Sequence, residues 1–525
     1  MSPASRELRV LFFLLHAGYL RYFRPAIELL AVRGHTVHLA FSRFEKDPGD
    51  AQLAHDLAAS HPNITIGEAP LRARSDGWRP LAALVRSLID LGRYVHPRYA
   101  EAPALRARMA RKLTEHVRRA RAVDPLTAWL TLRLVRFIES HSSEGLSRRI
   151  VGTLNRIERA IPTSRRVDAF LRAVKADVVL VTPLIEFASS QVEYVKSARC
   201  AGIPCGVCVA SWDNLTGKGL IRVVPDRVFV WNEIQVQEAI EMHGIPRERL
   251  VATGAAKFDE WFSRTARTTY AEFTARVGLA ADRPYILYVC SSPFIAPDEV
   301  SFVRRWLEQI RASERPSLRD VGVLVRPHPQ NAAQWRGIDM SNFGNATVWP
   351  SEGAQPDGGN ARADFFDSLA WSAAVVGINT SVLLEAAIVG KSVLTPLAPE
   401  FAGTQRGTLH FHYLLRENGG FVRIGATLDE HLEELLAVLE RDDEYAEQTR
   451  SFVVSFVRPQ GLHQPAAPIL ADAIEDLATL VPARARRTPR DYTLRALLTI
   501  IALGASVVGA LAASLRRHPS TPEVA

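Results

Sequence analysis

Short apolar runs recur along the chain, each followed by a polar or glycine-containing corner and then by residues at helical spacing. Leu8 to Leu15 (LRVLFFLL) is the first run, the helical stretch Pro25–Arg33 closed by Gly34 follows, and Val37–Phe41 is the next run. Uninterrupted apolar runs of strand length, alternating with amphipathic helices, predict strands buried on both faces of a parallel sheet. The same alternation resumes at Ala176–Thr182, Gly206–Ala210 and Asp226–Asn232, with helices over 191–200 and 233–243. A second series begins at Tyr285–Val289 and continues through Val321–Val325, Ala373–Val376 and Ser392–Leu397. A chain of 525 residues exceeds one hydrophobic core. Two series therefore predict two Rossmann-like domains, an N-terminal one over 1–262 and a C-terminal one over 284–480, joined by a helix and linker at 263–283.

Two stretches break this pattern. Residues 79–175 are rich in Arg, Leu and Ala, and their apolar positions recur at helical spacing, as over 102–122 and 126–140. They predict a helical insertion in the N-terminal domain. The chain carries +8 overall, but this segment holds 21 basic and 8 acidic residues, an excess of +13, which leaves −5 for the remainder. A basic amphipathic surface suits an anionic membrane; an ordinary solvated helical subdomain is the alternative. Nucleic acid is not expected as a partner, because the aromatic platforms and recognised modules are missing. The second exception is the tail. A basic linker at 481–495 precedes Ala496–Leu515, 20 residues without a charge, followed by Arg516 and Arg517. That length predicts a C-terminal transmembrane helix, and the heavier basic flank places the body at the cytoplasmic face of the cell membrane.

Metal chemistry finds little support. Cys200, Cys205 and Cys208 are spaced suggestively, but no fourth ligand follows, so they read as buried thiols of a reducing compartment. His410 and His412 would share a face only in a strand, and no third ligand is evident.

The ends of the apolar runs carry the polar residues. After the first run come His16, Gly18 and Arg21; after Ala176–Thr182, Glu186 and Ser189; after Gly206–Ala210, the loop 211-SWDNLTGKG-219 with Asp213. Open α/β sheets bind ligands at strand carboxyl ends, so these loops face the expected site. In the second half, Val321–Val325 ends in Arg326-Pro327-His328-Pro329. The run Ala373–Val376 ends in the corner Gly377–Ser381, followed by the helical stretch 382–389 and Gly390. Thr380 and Ser381 are good N-cap types, and a helix start binds phosphate through its free N–H groups. Glu385 lies one helical turn beyond Ser381 on the same face, where a carboxylate accepts hydrogen bonds from a ribose diol. An ordinary βαβ corner with a solvated Glu385 is the competing reading.

The spacing Asn379-Thr380-Ser381-x3-Glu385-Ala386-x3-Gly390-Lys391 resembles the donor-nucleotide corner of GT-B glycosyltransferases. The series SWDNLT…VWNE…TGAAKFDEW resembles bacterial surface-polysaccharide transferase-like proteins, and RPHP resembles the (R/K)PHP of CDP-glycerol glycerophosphotransferases. The resemblance implies an α/β GT-B fold: two Rossmann-like domains facing a cleft, here with a helical insertion and a C-terminal transmembrane helix. It implies that Asn379, Thr380 and Ser381 hold the donor diphosphate and Glu385 the ribose, and that Ser291 and Ser292 approach the phosphates. It further implies that Arg326 and His328 meet phosphate and that Glu400 and Gln405 contact the donor sugar. Catalytic candidates are Asp213 and Glu186 as general base, with His16 beside them. The implied activity is metal-independent sugar transfer from a nucleotide-sugar, a substrate and not a cofactor, to a lipid-linked or surface-glycan acceptor. Glycerophosphate transfer from a CDP-alcohol, nucleotide-sugar epimerisation and a non-catalytic scaffold are the rivals.

Overall fold

The computed structural model describes residues 6–44, 48–120, 125–353, 359–440, 446–482, 489, 491–500 and 502. The chain divides into two compact units, the first of Met1–Thr253 with Ala467–Ala525, the second of Gly254–Ala466.

Unit 1 is built on a seven-stranded parallel sheet. Its strands are β1 (Arg9–Leu14), β2 (Thr36–Phe41), β3 (Ile64–Glu68), β4 (Val178–Thr182), β5 (Cys205–Cys208), β6 (Arg227–Val230) and β7 (Leu250–Ala252). Their spatial order is β3-β2-β1-β4-β5-β6-β7. Val10 of β1 sits between Val37 and Val178 in register. Strands this apolar are stable only when both faces are covered, and the helices α1 (Leu20–Val32) and α2 (Pro48–Ser60) provide the β1–β3 crossovers. A helix from beyond unit 2, Ala466–Thr479, also covers the sheet. A Cβ on Gly206 of β5 would lie 2.9 Å from a Leu477 methyl and 2.7 Å from the Phe229 ring, so this strand stays bare there to admit the helix.

Cys205 and Cys208 are fully buried in β5, whereas Cys200, expected to be buried with them, is exposed near the end of the helix Val192–Ala201. Burial pushes the Cys205 thiol up to about 12 and the Cys208 thiol higher still, so both are protonated apolar fillers.

Between β3 and β4 the chain makes five helices: α3 (Trp78–Arg93), α4 (Pro103–Ala120), α5 (Pro125–Glu139), α6 (Glu144–Ala160) and α7 (Arg165–Val174). Val85 and Ile89 of α3 pack against Val151, Leu154 and Ile157 of α6 and against Leu220. Beneath this apolar contact lies a buried ion network that joins the helices to α8 (Val192–Ala201). Arg86 reaches Glu158 at 2.9 Å and Glu193 at 2.5 Å, Lys196 reaches Glu158 at 3.0 Å, and Arg72 reaches Glu193 at 2.7 Å. Burial alone would raise the Glu158 carboxyl, but Arg86 and Lys196 hold it down to about 2. Such a network is tolerated because every charge is paired and hydrogen-bonded.

Unit 2 repeats the plan with six parallel strands: β8 (Tyr285–Val289), β9 (Gly322–Arg326), β10 (Ala346–Val348), β11 (Ala374–Gly377), β12 (Val393–Pro396) and β13 (Arg423–Gly425), in the order β10-β9-β8-β11-β12-β13. In both sheets the first three strands step outward one way and the fourth is laid on the other side of the first. The order therefore reverses between β1 and β4, and again between β8 and β11. Two parallel sheets of this kind fit the α/β, two-Rossmann GT-B architecture expected from the sequence.

The C-terminal anchor requires correction. Among the described residues no helix is long and apolar enough to cross a membrane. The transmembrane helix expected at 496–515, and with it an anchored body at the cytoplasmic face of the cell membrane, is not upheld. Of that stretch only 496–500 and 502 are among the described residues; the rest lies outside them. One side of what is described packs on protein: Leu498 and Ala502 are buried, whereas Leu497 and Ile500 are exposed, and Arg495 Nε just before them donates to the Ala160 carbonyl at 2.8 Å.

Candidate functional site

Each switch point gathers sequence-predicted residues, and each unit is treated on its own. In unit 2, β8 ends at Val289 and β11 at Gly377, which are register partners. A Cβ on Gly377 would lie 2.8 Å from a Val289 methyl and 2.9 Å from its carbonyl oxygen, so glycine is required for the two strand ends to meet. Beyond them the loops are laced together. The Ser291 N–H donates to Glu299 Oε2 at 2.8 Å, while its Oγ accepts the Asn379 N–H at 3.3 Å. Asn379 Nδ2 donates to Thr408 Oγ1 at 3.0 Å. Gln405 Nε2 donates to the carbonyls of Ile378 and Pro396 at 3.0 and 3.1 Å and to Thr395 Oγ1 at 2.9 Å. Ser292 and Ser381 are half-buried, and Thr380 is buried.

Glu385 sits in the first turn of a short helix, Val382–Ile388, its carboxylate 3.7 Å from Lys257 Nζ. Burial raises the Glu385 carboxyl and Lys257 opposes it. Glu385 is therefore buried beside a cation and is not a solvated helix residue. Glu299, at the start of the helix Glu299–Ala312, is wholly buried, and burial pushes its carboxyl up to about 8 against hydrogen bonds from Ser291 and Tyr288.

Several predicted donor contacts are engaged differently. Ser381 has helical backbone angles, φ −65° and ψ −17°, and makes no side-chain cap. The expected N-cap is thus corrected: a side chain reaches back to a cap only from extended backbone. Arg326 is buried, with Nη1 3.1 Å from Asp364 Oδ2 and 3.4 Å from Ser368 Oγ, so its charge is already compensated within the unit. His328 Nδ1 accepts the Gln330 N–H at 3.1 Å, and burial pushes its imidazole down to about 4, leaving it neutral with Nε2–H as donor. Glu400 pairs with Arg305. Gln405 is fully buried, and its Nε2 is spent on two backbone carbonyls and the Thr395 hydroxyl, so it shapes the corner. His410 and His412 lie on a 3-10 turn, Leu409–Leu414, where they do not share the face a strand would give them. Among the described residues no group of three or more His, Cys, Asp or Glu could hold a metal ion.

In unit 1 the switch point carries the ionisable residues. His16 follows β1 and precedes the turn Ala17–Tyr19. Asp50 Oδ2 lies 3.7 Å from His16 Nδ1, and Asp50 Oδ1 also pairs with Arg21. A Cβ on Gly18 would come within 2.6 Å of Asp50 Oδ2 and 3.0 Å of His16 Nδ1, so glycine is what lets the carboxylate approach. Across the switch point, Glu186 follows β4. Lys218 Nζ lies 2.6 Å from Glu186 Oε1, to which Tyr19 OH donates at 3.4 Å. Burial would raise the Glu186 carboxyl, but Lys218 outweighs it and holds it below the usual range. Burial would likewise lower Lys218; Glu186, Tyr19 and Asp213 raise it instead, so it is a firm cation. Asp213 heads the single turn Asn214–Gly217 and accepts Asn214 Nδ2 at 3.1 Å. Leu184 and Ala188, which bracket Glu186, both have positive φ, at 60° and 54°. Non-glycine residues in that region cost energy and cluster where a loop's shape matters.

Three participants escaped the sequence reading: Asp50, Tyr19 and Lys257. Tyr19 lies between Gly18 and Arg21 in the loop after the first apolar run, but nothing in the spacing marks it as facing Glu186. Lys218 was visible only as part of the polar loop 211–219.

No protein-family model matches the chain, and no curated protein matches it. Solved structures do. A UDP-GlcNAc 2-epimerase from Neisseria meningitidis, bound to UDP-GlcNAc, is 11% identical, covers 89% of this chain and 100% of its own, and has a TM-score of 0.48. A UDP-GlcNAc 2-epimerase from Methanocaldococcus jannaschii is 11% identical over 83% of this chain and 94% of its own, at 0.44. A glycosyltransferase from Rickettsia africae is 10% identical over 94% and 98%, at 0.44. Identities and TM-scores this low assign neither substrate nor reaction.

Proposed function

We propose that this protein is a glycosyltransferase that moves a sugar from a nucleotide-sugar to a hydroxyl of an acceptor. The observation that carries the reading is placement. In each sheet part of the predicted polar set stands at the carboxyl ends of the two strands that flank the switch point, where open α/β sheets bind ligands; in unit 1 these are His16 after β1 and Glu186 after β4. In unit 2 these are Ser291 and Ser292 after β8, and Asn379, Thr380 and Ser381 after β11. Glu385 lies one turn further, beside Lys257. We assign the nucleotide diphosphate to Thr380 and Ser381, with Asn379 shaping the corner through its bonds to Ser291 and Thr408, and the ribose diol to Glu385, with Lys257 balancing the charge of a buried carboxylate. Arg326 is left out of this assignment, because Asp364 already occupies it.

The acceptor chemistry is assigned to unit 1. The acceptor oxygen bonds to the anomeric carbon, the bond from that carbon to the phosphate oxygen breaks, and the nucleoside diphosphate leaves with the electron pair. The acceptor's proton goes to a base. Of the three candidates we favour His16, an imidazole whose Nδ1 lies near a carboxylate, Asp50, at 3.7 Å. Glu186 is held low by Lys218, which weakens it as a base; together with Tyr19 the pair forms a polar wall suited to acceptor hydroxyls. Asp213 shapes the adjoining loop. A lipid-linked acceptor rested on the C-terminal span and is not part of the proposal.

The test is a thermal-shift screen of the full chain with UDP-, CDP- and GDP-sugars, followed by assay of nucleoside diphosphate release with and without acceptor glycans. A ligand that binds only the native state raises its stability by mass action. Stabilisation by one nucleotide class, and acceptor-dependent release that His16→Ala abolishes, are expected. No stabilisation by any sugar nucleotide overturns the reading, and release of a free epimerised sugar without acceptor replaces it with an epimerase.

A further inference from the structure

The helical segment between β3 and β4 reads in the sequence as an appendage, yet its first helix is threaded into the unit 1 site. Asp90, near the end of α3, is fully buried. Its Oδ2 accepts the Ala188 N–H at 2.8 Å, in the loop after β4. Its Oδ1 accepts the Leu220 N–H at 3.0 Å, in the loop after β5. Arg222, itself completely buried, donates to Oδ2 and supplies the counter-charge. Burial raises the Asp90 carboxyl, and Arg222 with the two N–H donors opposes this. One carboxylate therefore ties together the loop that carries Glu186 and the loop that carries Lys218.

The backbone leaves no slack around it. The Gly219 N–H donates to the Ile185 carbonyl at 2.7 Å, a direct seam between the same two loops. A Cβ on Gly219 would lie 2.7 Å from Asp90 Oδ1 and 2.9 Å from its Cγ and Oδ2, so the carboxylate rests on bare backbone that only glycine offers. One turn further along α3, Arg93 Nη1 donates to the carbonyls of Lys218 and Gly219, both at 3.0 Å, and Tyr94 OH donates to the Lys218 carbonyl at 2.9 Å. The Lys218 main chain is thus gripped from α3, while its side chain reaches 2.6 Å to Glu186.

We infer that Asp90 is a positioning residue: from the helical insertion it sets the separation of the two loops and so holds Lys218 against Glu186. The inference rests on the reading of that pair as part of the acceptor site. It does not itself touch substrate, and its effect passes through the Ala188 and Leu220 amides.

Asp90→Asn keeps the shape but not the valence. Both carboxylate oxygens face donors, so in either amide orientation an –NH2 meets an N–H or the Arg222 guanidinium, and one loop loses its acceptor. The experiment measures Lys218 modification by an amine-reactive ester at pH 8, read by peptide mass spectrometry, in the full chain, beside acceptor KM and nucleotide Kd. Wild-type Lys218 should be protected by its ion pair. Losing a buried hydrogen bond should speed its labelling and raise acceptor KM by about 10-fold to 100-fold in Asp90→Asn, with nucleotide Kd unmoved. Gly219→Ala, which presses on the carboxylate from the other side, should do the same and serves if Asp90→Asn does not fold. Lys218 labelling unchanged in a folded variant, or already as fast in the wild type as at exposed lysines, overturns the inference whatever the activity. Faster labelling with acceptor KM and turnover unchanged upholds the clamp and removes the Glu186–Lys218 pair from the acceptor site.

Discussion

Replacing Glu299 by Gln should leave stability unchanged below about pH 4.5 and make the protein progressively more stable than wild type as the pH rises to about 8. Glu299 is completely buried, its Oε2 accepting the Ser291 N–H at 2.8 Å and its Oε1 the Tyr288 hydroxyl at 3.2 Å. Burial raises its carboxyl from the ordinary 4.5 to about 8, and the two hydrogen bonds only partly offset this. Below pH 4.5 the folded and unfolded chains both hold the proton and no cost arises. Between 4.5 and 8 the unfolded chain releases it while the folded chain keeps it, so stability falls as pH rises, by about 1.4 kcal/mol per unit. Across the full window the loss is roughly 5 kcal/mol, complete once the pH passes the folded value. Glutamine keeps an oxygen for the Ser291 N–H and places its –NH2 toward the Tyr288 oxygen, so it reproduces the protonated acid and has no proton to lose. Equilibrium urea unfolding at pH 5, 6, 7 and 8 tests this, with the transition that contains β8 identified by pulse-labelling of its amides. The wild-type midpoint should fall steadily relative to Glu299→Gln. Parallel pH profiles for the two chains would refute the reasoning, because they would show that Glu299 ionises alike in both states.

Glu385→Gln should weaken nucleotide binding by roughly 2–4 kcal/mol in a titration, the cost of charge-assisted bonds to a ribose, with the melting temperature held. Lys218→Met should raise the pH at which the Glu186 carboxyl titrates, followed by carboxyl NMR: Lys218, helped by Lys112, holds Glu186 below its usual range, and without Lys218 burial raises the carboxyl. Arg86→Met should cost roughly 3–5 kcal/mol in urea unfolding, because Glu158 and Glu193 remain buried with less compensation.

The sheets were legible because burial on both faces writes itself directly into composition. β1, β4 and β8 are nearly all apolar, and each begins and ends within about two residues of its predicted run. The polar corners were legible for a related reason: parallel strands must end in loops, and the residues after β1, β4, β8 and β11 were identified without knowing the strand order. What the sequence withheld was pairing. Asn379 was expected to meet phosphate, and the structure shows its backbone and side chain both committed, to Ser291 and Thr408. Arg326 read as an open phosphate fork because its partner, Asp364, lies 38 residues away on another element. Lys257 and Glu385, separated by 128 positions, lie 3.7 Å apart, a distance that no periodicity encodes.

The insertion shows the same limit most sharply, because there the summed charge, carried largely by exposed side chains such as Arg111, Arg133 and Arg149, gives no sign of the few charges that are buried. An excess of +13 over 79–175 suggested a solvated or membrane-facing surface. Yet the residues that decide what the segment does are interior. Arg86 is buried against two carboxylates, one of them outside the segment, and Arg93 is buried against backbone carbonyls. Asp90, one of only eight acids in the stretch, is the group that joins the two site loops. Net charge weighs every residue equally, whereas burial multiplies the effect of a few, since a charge in low dielectric must find a partner or cost several kcal/mol. Asp90 and Arg93, with Tyr94 at the cap of the same helix, fall within five residues and reach loops 98 to 130 positions away. The helix that sequence places furthest from the chemistry is therefore the one that its hydrogen bonds build into it.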